Sequence, residues 1–219
     1  MKEIILFGTG NTAQVLYYHL EKAGRKVAAF TVDNNYLDAN KLLNRPVVPY
    51  NNITSLYPPE RYDMMIAIGY AKMNRVRAEK FREITKMGYD TVSYVSPTAI
   101  VWDGFSLNPH CKIGEQTIVQ PFSKIGKNVF IGSGCIIGHH AEIKDHSFLA
   151  SGVIVGGGAT VEPYSFLGTG SVTRNDIIIR ESSVVGAGTV ILNHTQKNSV
   201  HLNRSAEKMD ISSKELFDS

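Results

Sequence analysis

The densest run of ionisable side chains in this chain is Gly138-His139-His140-Ala141-Glu142-Ile143-Lys144-Asp145-His146, which holds three of its seven histidines. A neutral imidazole, with an unperturbed pKa near ~6.5, takes a proton readily from an attacking amine or hydroxyl at neutral pH. The run suits general-base work in a group transfer; the alternative is a structural pair capping a turn. A metal site from His139, His140 and His146 is not expected. Neighbours on a strand point to opposite faces, and no cysteine or carboxylate spacing completes a ligand set. A second motif lies near the N-terminus, where Gly8-Thr9-Gly10-Asn11-Thr12-Ala13 follows the apolar run Ile4-Ile5-Leu6-Phe7. Glycines in a G-x-G-x-x-A turn let backbone N–H groups approach a phosphate or ribose, and a helix starting there adds partial positive charge.

Around the second motif the pattern is a strand at 4–7, the glycine turn, a helix through Val15, Leu16, His19 and Leu20 to Gly24, and a strand at 26–32 closed by Asp33, Asn34 and Asn35. A buried strand at 64–69, a charged helix at 75–86 with Val76, Phe81 and Ile84 as its apolar stripe, and a strand at 91–95 follow. About ninety residues fall short of the two mononucleotide halves of a full dinucleotide fold. Two readings stand: one mononucleotide-sized site, with Asp33 accepting from a ribose hydroxyl or base N–H, or a tight turn with no ligand and Asp33 opening a loop.

The histidines belong to a repeat of six. Val95, Val101, Leu107, Ile113, Val119, Ile125, Ile131, Ile137, Ile143, Leu149, Val155, Val161, Leu167, Thr173, Ile179, Val185 and Ile191 form a column that only Thr173 breaks in type, often followed by glycine, as at Gly114, Gly126, Gly138, Gly156 and Gly168. Six is not a helical period, since 3.6 residues per turn would scatter these side chains around a cylinder. It is the period of a solenoid of short parallel strands sharing a central column. If three hexapeptides make one triangular coil, residues eighteen apart stack, and Gly157 lies over His139 and Ala187 over Thr169.

Composition narrows the classes. The 219 residues carry a net charge of +3, and no Lys/Arg stripe argues for nucleic acid. No run is long and apolar enough for a membrane span or a signal-peptide core, so the cytoplasm is expected and a membrane partner is not. Cys111 and Cys135 make neither a disulfide framework nor a ligand set; each lies two residues before a column position and reads as a small side chain in a coil.

With this column behind a small α/β domain, the whole chain resembles the left-handed β-helix acyltransferases with hexapeptide repeats, most of all the nucleotide-sugar N-acetyltransferases and the sialic acid O-acetyltransferase group. The resemblance implies a Rossmann-like α/β domain with a short parallel sheet (1–92), a left-handed parallel β-helix of hexapeptide repeats (93–195) and a C-terminal extension (196–219). It implies a homotrimer binding acetyl-CoA between neighbouring solenoids, with no metal. The expected activity is acetyl transfer to an amino group of a nucleotide-linked amino sugar by direct attack on the thioester.

In the family the catalytic His precedes a column aliphatic by four, with an acid two residues beyond; His139, Ile143 and Asp145 match. His139 is then the base, His140 the alternative, and the Gly157 N–H holds the oxyanion. The family commonly places an Asp or Glu directly after the base; His140 stands there instead, leaving Glu142, Asp145 or a neighbouring subunit to supply the acid. His146 reads as a structural histidine at a corner, with a role near the acceptor left open. Carried over by position, Phe148, Gly157, Thr169 and Ala187 contact acetyl-CoA. Gly10, Asn11 and Thr12 hold the nucleotide-sugar, with Asp33 and Asn34 reading ribose or base. The Gly-x-Pro-Ala segment usual near the C-terminus is replaced by Leu202-Asn203-Arg204-Ser205-Ala206, and a short capping helix is expected between Asp210 and Phe217. Competing readings are O-acetylation of a sugar or sialic acid and a non-catalytic hexapeptide scaffold.

Overall fold

The computed structural model describes residues 1–208, 210–213 and 216. The expected capping helix lies in part outside these residues. The N-terminal region is a sheet of β1 (Glu3–Phe7), β2 (Val27–Val32), β3 (Lys41–Leu42), β4 (Arg45–Pro49) and β5 (Tyr62–Ile66), ordered β3-β4-β2-β1-β5. All pairs are parallel except β3 with β4. Helices α1 (Asn11–Lys22), α2 (Ile53–Leu56) and α3 (Arg75–Lys86) complete it. In β1, Ile4, Ile5 and Leu6 are all fully buried, as a central parallel strand covered on both faces requires. α1 buries Ala13, Leu16 and Leu20 and stops at Gly24, whose φ of +73° and the Arg25 N–H bond to the Leu20 carbonyl close the helix. The expected strand at 64–69 runs instead over Tyr62–Ile66. β4 escapes a sequence reading because Pro46 and Pro49 remove two of its donors.

From Tyr94 onward the chain is a triangular parallel β-helix with three faces. Face 1 runs from Tyr94–Val95 to Val200–His201, face 2 from Ile100–Val101 to Val190–Ile191, and face 3 from Lys124–Ile125 to Ile178–Ile179. Partners are eighteen residues apart, as in Ile113 with Ile131, Val119 with Ile137 and Ile125 with Ile143. The column from Ile113 to Ile191 is buried, but Leu107 is 37% exposed and belongs to no strand. In the last coil Val184 pairs with Val200, a step of sixteen, so a final rung rejoins face 1 beyond residue 195.

From His110 to Gly188 each turn brings the third residue after the column into the left-handed region, where His140 (φ 59°), His146 (φ 64°) and Tyr164 (φ 60°) sit. The glycine directly after the column meets a different demand: a Cβ on Gly138 would lie 2.5 Å from the Gly157 nitrogen of the next coil. Cys111 and Cys135 fill corners inside the coil, their thiols donating to the carbonyls of Gly126 and Ala150, and burial pushes the Cys111 thiol up to about 11.

The outward side chains distinguish the faces. On face 1 Phe130 and Phe148 pack with the core of the N-terminal region. Face 3 presents Lys124, Glu142 and Thr160. Face 2 presents an unbroken aliphatic column of Ile100, Ile118, Ile136, Ile154, Val172 and Val190, with Ile100 64% and Val190 59% exposed.

Arg77 of α3 joins the two regions. It is fully buried, without a carboxylate, and donates to the carbonyls of Gly69, Asn128, His146 and Ser147 and to the side-chain oxygens of Asn74 and Asn128, with Phe130 against its guanidinium. The Asn128 oxygen also accepts from His110 Nδ1 (2.8 Å), whose Nε2 accepts the Ile66 N–H (2.7 Å). The Asn128 amide donates to His146 Nδ1 (2.7 Å). The three guanidinium nitrogens of Arg77, both ring nitrogens of His110 and the side-chain amide of Asn128 are thereby all paired.

Candidate active site

His139 and His140 lie on the edge between faces 2 and 3, both exposed. The His139 N–H donates to Gln120 Oε1 (2.9 Å), which pins the turn, and the ring lies flat against the next coil: a Cβ on Gly157 would be 2.7 Å from His139 Cε1 and Nε2. The stack of His139 and Gly157 read from the eighteen-residue step is present in this form. His139 Nδ1 is 3.2 Å from His140 Nδ1, and the His140 ring packs on Phe122 (4.8 Å between centroids). Of two facing nitrogens one must carry the proton. With the proton on His139 Nδ1, His140 accepts it and the lone pair of His139 Nε2 is left facing Gly157.

Several expectations are corrected. The Gly157 N–H is not free: it donates to Asn175 Oδ1 (3.0 Å) one coil further on. Asp145 does not orient His139; it lies on the edge between faces 3 and 1, where its Oδ1 accepts the Lys127 N–H (2.9 Å). Among the described residues no carboxylate is bonded to His139 or His140. Thr169 and Ala187 do stack, since a Cβ on Gly168 would meet the Ala187 nitrogen at 2.7 Å, but they occupy the edge between faces 1 and 2. A single chain therefore does not bring them to Gly157. Phe148 points from face 1 to the N-terminal region, 5.3 Å from the Tyr70 ring and 5.8 Å from the Phe166 ring, away from both edges. The break at Thr173 has a local cause: its hydroxyl, buried, accepts the Gly156 N–H (3.0 Å), a bond that the strand ladder supplies elsewhere. The distortion falls in the coil that carries Gly157.

His146 lies at the corner between faces 3 and 1. It stacks on Tyr164 at 4.9 Å and bonds Asn128, and burial pulls its pKa down to about 4. His110, at the same turn position two coils before it, is fully buried and pushed down to about 3 by burial, with Arg77 adding to the shift.

In the N-terminal region Gly10 precedes α1, whose first turn has neither a side-chain cap nor an acidic residue. Asn11 and Thr12 face a cavity of about 260 Å³ between the two regions, lined also by Lys112, Phe130, Gly132 and Phe148. Asp33 is not a free carboxylate: its Oδ1 binds Lys80 Nζ (2.8 Å), which also holds Glu83 and lies over the Tyr50 ring. Asn34 is exposed and opens a short 3-10 turn. Sequence reasoning missed Gln120, Asn175, Lys80 and Lys112. The step of eighteen marks two of them, Asn175 over Gly157 and Lys112 below Phe130 and Phe148, whereas the Lys80–Asp33 pair has no local signal.

Among the described residues no group of three or more His, Cys, Asp or Glu converges as a metal site, and no helix is long and apolar enough to cross a membrane.

The architecture is that of a known class. A perosamine N-acetyltransferase mutant from Caulobacter crescentus, solved with CoA and GDP-perosamine, is 22% identical with a TM-score of 0.85, over 93% of this chain and 94% of that one. The acetyltransferase domain of PglB from Neisseria gonorrhoeae is 17% identical with a TM-score of 0.73, over 95% of this chain and 100% of that one. WeeI from Acinetobacter baumannii is 17% identical with a TM-score of 0.51, over 87% and 96%. At these identities the likeness is one of fold. Residues 93–206 match the model of the GMPPB C-terminal domain family, and the chain belongs to that family. A comparison with curated protein sequences returns no match.

Proposed function

We propose that the protein is an acetyltransferase that moves an acetyl group from acetyl-CoA to the amino group of a nucleotide-linked amino sugar. The observation that carries the proposal is the exposed His139 ring lying on Gly157, oriented through Nδ1 by His140. His139 Nε2 takes the proton from the attacking amine as its nitrogen bonds to the thioester carbonyl carbon. Collapse of the tetrahedral adduct expels the CoA thiolate, and the imidazolium returns the proton to sulfur. His140 replaces the acid usual in the resembled family, accepting from His139 with a lone pair in place of a negative charge. The Gly157 N–H serves the oxyanion only when Asn175 yields it.

The thioester reaches His139 from a second copy. Thr169 and Ala187 offer backbone N–H groups that no described residue accepts, suited to the amide carbonyls of a pantetheine arm. Their edge and the His139 edge flank the aliphatic face 2. With face 2 turned to a three-fold axis, the edge of Thr169 in one chain meets the edge of His139 in the next, and the exposed isoleucines are covered. We propose a homotrimer on this basis, built of left-handed solenoids as in the family that the chain resembles. The nucleotide occupies the crevice at the C-terminal ends of β1 and β2, where Gly10, Asn11, Thr12 and Asp33 lie, with Asn34 at its rim.

The test is thiol release from acetyl-CoA with UDP-, GDP- and dTDP-linked 4-amino sugars. Release with at least one acceptor is expected. No release with any acceptor, together with no CoA binding, overturns the proposal and favours a non-catalytic scaffold; release only with hydroxyl acceptors favours O-acetylation.

A further inference from the structure

The cavity between the two regions is lined by a cation that no described carboxylate contacts. Lys112 leaves face 1 of the solenoid and lines this cavity opposite Asn11 and Thr12. No described residue forms an ion pair or side-chain hydrogen bond with its ammonium. The carboxylate that acts on it, Glu115, is already engaged: Oε1 binds His19 Nε2 (2.7 Å) and Oε2 accepts from Ser133. Burial lowers the Lys112 pKa, against the pull of Glu115. The other unpaired solenoid lysines, Lys124, Lys127 and Lys144, lie outside this cavity. A partly buried ammonium with no carboxylate in contact is costly unless a ligand supplies the contact.

We infer that Lys112 is a phosphate-binding residue, through which the solenoid contributes the cation for the diphosphate of a nucleotide-linked substrate held by the turn at 10–12. The inference rests on the nucleotide reading given above. Asn11 and Thr12 at the start of α1 line one side, Phe130 and Phe148 form an apolar wall, and Lys112 gives the one ammonium among the cavity-lining residues. A nucleoside diphosphate therefore spans both regions, while a nucleoside without phosphates gains nothing from Lys112.

The experiment is calorimetric titration of the full chain with UDP, GDP and dTDP and with uridine, guanosine and thymidine, in wild type, Lys112→Met and Lys112→Arg. The tightest diphosphate is expected to bind Lys112→Met at least about 10-fold more weakly than wild type, with the matching nucleoside unchanged. Lys112→Arg keeps binding within about threefold. Equal diphosphate binding by wild type and Lys112→Met overturns the assignment alone. Equal loss of diphosphate and nucleoside also overturns it, because that marks a structural role. If wild type binds none of the diphosphates, the nucleotide reading falls and the assignment with it.

Discussion

Two pairs of histidines, His110 with His146 and His139 with His140, occupy the same kind of turn on different edges of one prism. His110, His146 and His140 all stand three residues after a column position, with positive φ; His139 stands one residue earlier. The edge between faces 3 and 1 is roofed by α3, so His110 and His146 are locked to Asn128, and burial holds both in the neutral form. Among the described residues none roofs the edge between faces 2 and 3, and its two rings meet each other and Gly157. Residue type and turn geometry are shared; what differs is what the rest of the chain lays over the edge. A repeat scaffold thus turns one side chain into a structural fastener on one edge and leaves it exposed on another.

Breaking the fastener has the largest expected effect. Asn128→Leu orphans the His110 Nδ1–H and the Arg77 Nε–H in a buried interface, and a loss of about 3 kcal/mol or more is expected in urea unfolding. A loss below about 1 kcal/mol contradicts the reading of the buried pair.

Acid should attack the same pair. The folded-state pKa values of His110 and His146, about 3 and about 4, lie below the ~6.5 of an unfolded imidazole, so between these values the unfolded chain binds more protons. The contribution is fully present above pH ~6.5 and is lost as pH falls toward 4. Thermal unfolding followed by circular dichroism is expected to show Tm falling across that window; a flat Tm from pH 7 to 4 contradicts the account.

On the exposed edge, Gly157→Ala sets a methyl 2.7 Å from the His139 ring, which must tilt away. Turnover is expected to drop about 10-fold with Tm little changed, and an unaltered rate would show that the ring position is not used. The smallest effect is a gain. His140→Asp restores a carboxylate beside His139 at a left-handed position that Asp tolerates, and kcat is expected to rise about threefold. A fall of similar size would mean that the imidazole of His140 has a role beyond accepting a hydrogen bond.

Much of this was legible in the sequence, and the reasons differ by region. The solenoid repeats one local rule, a buried aliphatic and a tight corner, so Ile113, Ile131 and Leu149 announce the column without any knowledge of the rest. The pairing of His139 with Gly157 follows from the same step. Two-thirds of a coil, however, separates Gly157 from Thr169, and that interval places them on different edges. The fate of each edge is also set at a distance. Arg77 reaches Asn128 across 51 positions and Lys80 reaches Asp33 across 47. No spacing rule predicts such pairs, because they depend on how the sheet domain docks on face 1. In the N-terminal region β1, α1 and α3 were legible from apolar pattern and glycine stops, and β4 was hidden by its prolines.

The most direct test of the central claim is the rate of CoA thiol release with the best nucleotide-linked amino-sugar acceptor in wild type, His139→Ala and His140→Ala, with the Tm of each. The account predicts a fall of about 10²–10⁴ in kcat for His139→Ala with Tm unchanged, and a smaller fall for His140→Ala. Near-normal turnover in His139→Ala would contradict it, and if His140→Ala alone were inactive the base would be the neighbouring ring.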